Sequence, residues 1–448
     1  MDRQGSDRGM RRGQLIGRRA LLKGAGASTL AVAGGGLLEA CGTVKGAGGT
    51  SSTGTITMGF ITPLTGDLAG FASGDNFVLD QIKQTSAYKN GFKVGGKTYK
   101  VNIVVADSQS SSTRASQVAQ QLILKNHVDV VLTTSTPETT NPVAVACEHM
   151  STPCLSTVVP WESWYVGLGG NPLKPTTDYK YVSTFFFGLK EFQGCFAPMW
   201  KRVNSNKIVA CQYPNDADGT AFREGFEPLI KAAGYKVDDP GPYNDGLTSF
   251  TSMISGFKAK GADLFSNCPL PPDFNTFWKQ ASQQGFKPKL ATVAKVLLFP
   301  ADTVALGSLV ANIATDSWWG PYMPHTSSLN GQSAQSLADA YQAKTGNQWV
   351  QSIGSTYSLF EVAREAFTAV SDPHDKAEVA DALHRVNYTG MCGPINFGTG
   401  PAPGVGIIPP VGVQWKASTG KYPFVMTVVD NSLNPTVKVQ ADLVPTNA

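Results

Sequence analysis

Residues 129–156, DVVLTTSTPETTNPVAVACEHMSTPCLS, read as a strand, a polar turn, a helix and the start of a second strand. Val128 to Leu132 is apolar but for Asp129, which suits a strand covered on both faces. Asn141 to Met150 is long enough for a helix, and Cys154-Leu155-Ser156 returns to a strand pattern. Strand, helix, strand is the unit of a parallel sheet. The same alternation extends outward. Ile56–Ile61 and Tyr99–Ala106 read as strands, with helices over Asn76–Thr85 and Arg114–Lys125. A second series follows at Lys207–Cys211, Ala221–Ala233, Phe250–Lys260, Asp263–Ser266 and Phe274–Gln284. The predicted fold class is α/β, with two Rossmann-like lobes built on parallel central sheets.

One stretch matches a phosphate-binding pattern by letter alone. Gly91-Phe92-Lys93-Val94-Gly95-Gly96-Lys97-Thr98 fits GxxxxGK[ST]. That loop works only between a preceding strand and a following helix, whose N-terminus faces the phosphates. Here a helix precedes and a strand follows, so a hairpin turned at Gly95-Gly96 is the expectation.

Composition narrows the partners. The chain has 448 residues, 42% hydrophobic and 16% charged, enough for sizeable cores. Residues 1–40 carry seven Lys/Arg and three Asp/Glu, which leaves thirty of each in the remainder. A neutral body argues against nucleic acid, because phosphate binding needs surplus positive charge. The basic segment holds Arg18-Arg19-Ala20-Leu21-Leu22-Lys23, similar to a twin-arginine export signal, then the Gly/Ala-rich stretch Gly24–Leu38. Leu38-Glu39-Ala40-Cys41 resembles a lipobox, in which Cys41 becomes the lipid-bearing first residue. The expectation is an export signal over 1–40, then a lipid-anchored flexible linker over 41–54. No later run has ~18 uninterrupted apolar residues, so no spanning helix is predicted in the body.

Six cysteines remain after Cys41: Cys147, Cys154, Cys195, Cys211, Cys268 and Cys392. Export permits disulfides, and six cysteines leave the pairing open. Cys195 with Cys268 is the pair expected, and at least one thiol should stay free in each lobe. No CxxC pair is present and the five histidines are scattered, so no structural metal is expected. GxSxG and HExxH are both missing, and no cofactor motif stands out. Asp216 and Asp218 could act as an acid/base pair, but helix capping is the commoner role. Trp161 with Trp164, and Trp318-Trp319, suit either core packing or ligand stacking.

Several segments together resemble the branched-chain amino-acid-binding branch of the type I periplasmic binding proteins of ABC transporters. They are ITMGFITPLTGDLAGF (56–71), YKVNIVVAD (99–107), residues 129–156, FGLKEFQG (187–194) and GMCGPINFGTG (390–400). The resemblance implies two lobes joined by a multi-strand hinge, at 55–186 with 318–400 and at 187–317 with 401–448. It also implies a monomeric, non-enzymatic protein that captures a small polar or amino-acid-like solute and delivers it to an ABC-type permease. Ligands of open α/β sheets sit beyond the carboxyl ends of the strands. The candidate binding residues are therefore Thr65, Asp67, Ser135, Thr136, Thr157 and Trp161 from the first lobe. Glu191, Phe192, Asp216, Asp218, Lys295 and Trp318 complete the set. Two positions depart from the family pattern. Asp218 stands where an aromatic is usual, and Lys295 lies near the place of an acid that holds a ligand ammonium. Two other functions remain open at this point, a ligand-sensing receptor component and an exported hydrolase using Asp216, Asp218 or a cysteine.

Overall fold

The computed structural model describes residues 54–176 and 179–446. The described residues form one compact unit. Arg18, Arg19 and Cys41, and the segments 1–40 and 41–53, lie outside the described residues. Gly54, expected as the end of the linker, begins the first strand.

The chain first lays down β1 (Gly54–Thr62), β2 (Phe92–Val94), β3 (Lys97–Asp107), β4 (Val130–Thr134), β5 (Cys154–Thr157) and β6 (Val182–Phe185). Next come β7 (Ile208–Gln212), β8 (Lys236–Asp238), β9 (Leu264–Asn267), β10 (Leu290–Val293) and β11 (Ala314–Ser317). After three helices follow β12 (Asn387–Gly390), β13 (Gly393–Asn396), β14 (Val405–Gly406), β15 (Val411–Ala417) and β16 (Phe424–Asp430).

Two seven-stranded sheets result. The first runs β14-β6-β5-β4-β1-β3-β2 and the second β16-β15-β11-β10-β9-β7-β8. Their centres are parallel, with antiparallel strands only at β2, β15 and β16. This is the α/β class expected. The central strands β4, β5, β9 and β10 are buried along their whole length, as sheets covered on both faces require. Helices come close to them. A Cβ on Gly59 of β1 would stand 2.8 Å from Leu122 Cδ1, so glycine there lets the helix Ser112–Leu124 lie on the sheet.

The segment that mimics a phosphate loop is the antiparallel hairpin β2–β3, turned at Gly95 and Gly96 with φ of 54° and 79°. Consecutive positive φ values suit a type I′ turn, which favours glycine. The Gly-Pro segment at 393–396 pairs with β12 in a separate two-stranded hairpin and joins neither large sheet. Val405–Gly406 pairs with β6 of the first sheet, so the chain leaves that sheet after Gly406 and not at Gly400. The helix read over Ala221–Ala233 is broken into Ala217–Ala221, a π-helical turn at Phe222–Phe226, and Glu227–Ala232. The six described cysteines are buried and free, so the expected Cys195–Cys268 bridge is not formed. No described helix is long and apolar enough to cross a membrane.

Candidate functional site: a cleft at the carboxyl ends of two sheets

Each sheet contains a switch point, where successive crossovers run to opposite sides. In the first, β1 lies between β4 and β3; in the second, β7 lies between β9 and β8. Loops leaving the strand ends beside such points diverge and open a crevice. Here the loops after β4, β5, β7, β9, β10 and β11 converge on one apolar cavity. Its envelope is about 390 Å³, of which about 30 Å³ can be reached by the centre of a water molecule. That is room for a water or two, so the cleft is nearly closed.

Backbone strain collects in these loops. Ser135 after β4 has φ 143°, Val158 after β5 has φ 64°, and Lys295 and Leu297 after β10 have φ 68° and 54°. Positive φ is costly for a β-branched residue such as Val158. Strain of this kind is held by surrounding structure and concentrates at functional sites.

The cavity wall is largely aromatic. Phe186 and Phe187, on the crossing from the first sheet to the second, stack at 4.2 Å between ring centres. Trp318 stands edge-on to Phe186 at 5.1 Å, with its backbone N–H donated to Gln351 Oε1 and its indole N–H to Ser355 Oγ. Phe192 meets Phe187 at 4.8 Å and Phe222 at 5.2 Å. Phe222 opens the π-helical turn, a distortion frequent at functional sites.

Charge enters at one point. Lys295 Nζ lies 2.9 Å from Glu138 Oε1, 3.1 Å from Asp216 Oδ2 and 2.8 Å from Asp218 Oδ2. Glu138 sits in the first turn of the helix Pro137–His149 that follows β4, and the other three residues follow β7 and β10. Asp216 also caps its own helix by accepting from Gly219 N at 2.6 Å. Ser163, on the helix Trp161–Gly167 after β5, donates to Asp218 Oδ1 at 2.7 Å. Glu138–Lys295 and Ser163–Asp218 therefore both span the cleft. Burial alone would depress the Lys295 ammonium, but Asp216, Asp218 and Glu138 outweigh it and hold it well above its usual value. Burial would likewise raise Glu138, yet Lys295 brings it below the usual carboxylate range. Asp218 goes the other way, pushed up to about 6 by burial despite Lys295. Asp316, at the end of β11 and on the cavity wall, is pushed up to about 7 by burial.

The sequence-predicted residues divide. Thr136, Phe192, Asp218, Lys295 and Trp318 line the cavity. Asp216 completes the charged cluster and borders an outer recess with Glu138. Ser135 is fully buried in the strained turn before Thr136. The remaining five have other work. Thr157 donates its hydroxyl to Phe185 O, which ties β5 to β6. Trp161 packs on Tyr165, and its indole edge would stand 2.4 Å from a Cβ on Gly188. Glu191 accepts from Gly188 N at 2.9 Å and so fixes the start of the helix Leu189–Lys201. Thr65 and Asp67 are exposed, and Thr65 is bound to Asp107 through both its hydroxyl and its N–H. Those bonds turn Thr65 toward β3, while Phe71, further along the same loop, lines the cavity. Sequence reasoning missed Glu138, Ser163, Phe186, Phe187, Phe222 and Asp316. The Thr136-Pro137-Glu138 start of a helix was the available signal for Glu138, since an acid is favoured in the first turn.

Two switch-point sheets, each covered on both faces and both opening on one cleft, define a two-lobed α/β fold. The periplasmic binding protein family model matches residues 55–406, and the chain belongs to that family. Among curated relatives, the Leu/Ile/Val-binding protein homolog 7 of Brucella abortus is 27% identical over 199 residues, 43% of this chain. The match spans 48% of that relative, about half its length. Among solved structures, a leucine-binding protein from Thermotoga maritima superposes with a TM-score of 0.66 at 19% identity, covering 83% of this chain and 97% of that one. A solute-binding protein of an ABC transporter from Rhodopseudomonas palustris, in complex with 3,4-dihydroxybenzoic acid, gives 0.65 at 15% identity, covering 87% and 98%. At such identities these structures establish a shared fold. The description of that family places its members in the periplasm as binding proteins.

Proposed function

We propose that this protein is an exported, lipid-anchored solute-binding component. It captures a small molecule between two lobes and delivers it to an ABC-type permease, without chemical turnover. The observation that carries the reading is the convergence of strained loops from both sheets on one aromatic cavity with a charged rim. Thr136, Phe192, Asp218, Lys295 and Trp318 form the binding wall, and Asp216 supports Lys295. Lobe 1 comprises the first sheet with its helices and lobe 2 the second, with closure about the crossings between them. Leu38-Glu39-Ala40-Cys41 supplies the anchor and Arg18-Arg19 the export signal.

A thermal-shift screen over amino acids, amides, carboxylates and aromatic solutes tests capture. A solute present at 100 times its dissociation constant adds about 2.7 kcal/mol of stability. The expected result is a positive shift with at least one class and no consumption of that solute. Turnover of an amide or ester would replace this reading with the hydrolase. Separately, Cys41→Ser should release the protein from the membrane fraction, and retention through a carbonate wash would refute the anchor.

A further inference from the structure

The Lys295 ammonium has three N–H donors, and three carboxylate oxygens lie within 3.1 Å of it. Its hydrogen-bonding capacity is filled. The arrangement also straddles the cleft, since Glu138 follows β4 of the first sheet while Lys295, Asp216 and Asp218 follow strands of the second. The backbone at Lys295 adopts φ 68° to present the side chain there. The cluster stands as a wall between two spaces. Asp218 and Lys295 face the aromatic cavity, while Glu138 and Asp216 face the outer recess beside Ser112 and Ala217. A ligand ammonium seeking these carboxylates would have to displace a tethered one that already pairs with one oxygen of each, although Glu138 Oε2 keeps no partner of its own.

We propose that Lys295 is a specificity-determining residue: its ε-ammonium fills the three-carboxylate site shared by the two lobes, holds them together without ligand, and directs the cavity to solutes that bring no ammonium. This deepens the capture reading and rests on it. The solute class is a compact aromatic or branched aliphatic molecule with a carboxylate or hydroxyl end. The aromatic wall covers its body.

The experiment has two arms. In the first, spin labels at the exposed positions Thr113 and Leu247, one on each side of the cleft, report lobe separation in the ligand-free protein. The wild type should give a short, narrow distance distribution. E138Q and K295M should broaden it toward longer distances. Distributions in both variants that match the wild type would overturn the proposal. In the second arm, calorimetry compares pairs that differ by the ammonium, namely 3-phenylpropionate against phenylalanine and 4-methylpentanoate against leucine. The wild type should favour the member without the ammonium by about tenfold or more, the scale of one charged hydrogen bond. K295M should shrink or reverse that preference. Wild-type binding of the amino acid as tightly as its partner would overturn the proposal, as would an unchanged ratio in K295M. Should no solute of any class bind, the capture reading fails instead, and the spin-label distances alone decide whether Lys295 joins the lobes.

Discussion

The two sides of the cleft bring different chemistry to the same cavity. The first-sheet side supplies hydroxyls. Thr134, Ser135, Thr136, Thr139 and Thr140 are buried on or beside the turn between β4 and its helix, and Glu138 is the carboxylate among them that reaches across. The second-sheet side supplies charge, with Lys295, Asp216 and Asp218 within one ion cluster and Asp316 on the wall. Hydroxyls can donate or accept as a solute requires, whereas a buried ion cluster is costly unless every charge keeps its partner. The adaptable side and the committed side thus have different tolerances to substitution.

The largest effect should come from breaking the committed side. Lys295→Ala leaves three carboxylates without their cation, which should cost about 3–5 kcal/mol in urea denaturation at pH 8. The loss should be smaller at pH 5, because the stranded carboxylates take up protons as pH falls. An equal loss at both pH values would mean that the cluster is not held by charge.

Asp316 sharpens the same contrast through pH. Its carboxyl is raised from 3.8 to about 7, so the folded state keeps a proton that the unfolded chain gives up near pH 4. The stability this provides is present below pH 4 and is lost as pH rises toward 7. Asp316→Asn should remove part of that downward slope and leave the variant more stable than the wild type at pH 8, by roughly 1–2 kcal/mol. Parallel stability–pH curves would contradict the assignment.

On the adaptable side effects should be smaller. Ser163→Ala deletes one hydroxyl donor to Asp218 and should cost about 1 kcal/mol by thermal denaturation, with Asp218 still held by Lys295. Thr65→Ala removes bonds at an exposed turn that does not line the cavity, and should stay within about 0.5 kcal/mol in stability with solute affinity unchanged. A marked loss of affinity in Thr65→Ala would return that turn to the binding site.

The fold was readable where hydrophobic pattern is local. Val128–Leu132 and the helices around it announce a parallel sheet, and Gly95-Gly96 announces a hairpin. The π-helical turn at Phe222–Phe226 was not readable, because Ala221–Ala233 keeps a helical pattern through it. The site was half legible. Strand-end position picked out Thr136, Asp218 and Lys295, since topology places such loops together. Glu138 escaped because its partner Lys295 lies 157 residues away and Thr-Pro-Glu reads equally well as a helix start. Thr65 and Asp67 misled for the reverse reason. They follow a strand of the right kind, but Asp107 at the end of β3 binds Thr65, and the loop reaches the cavity only further on, at Phe71.

The central claim is that one solute binds in the aromatic cavity at the meeting of the two sheets. Calorimetric titration of the best solute from the screen into wild type, Trp318→Leu and Thr65→Ala tests it directly. The account predicts one site per chain in the wild type, affinity at least about tenfold weaker in Trp318→Leu, where cavity contact is lost, and none of that loss in Thr65→Ala. Equal affinity in Trp318→Leu and wild type would place the solute elsewhere and contradict it.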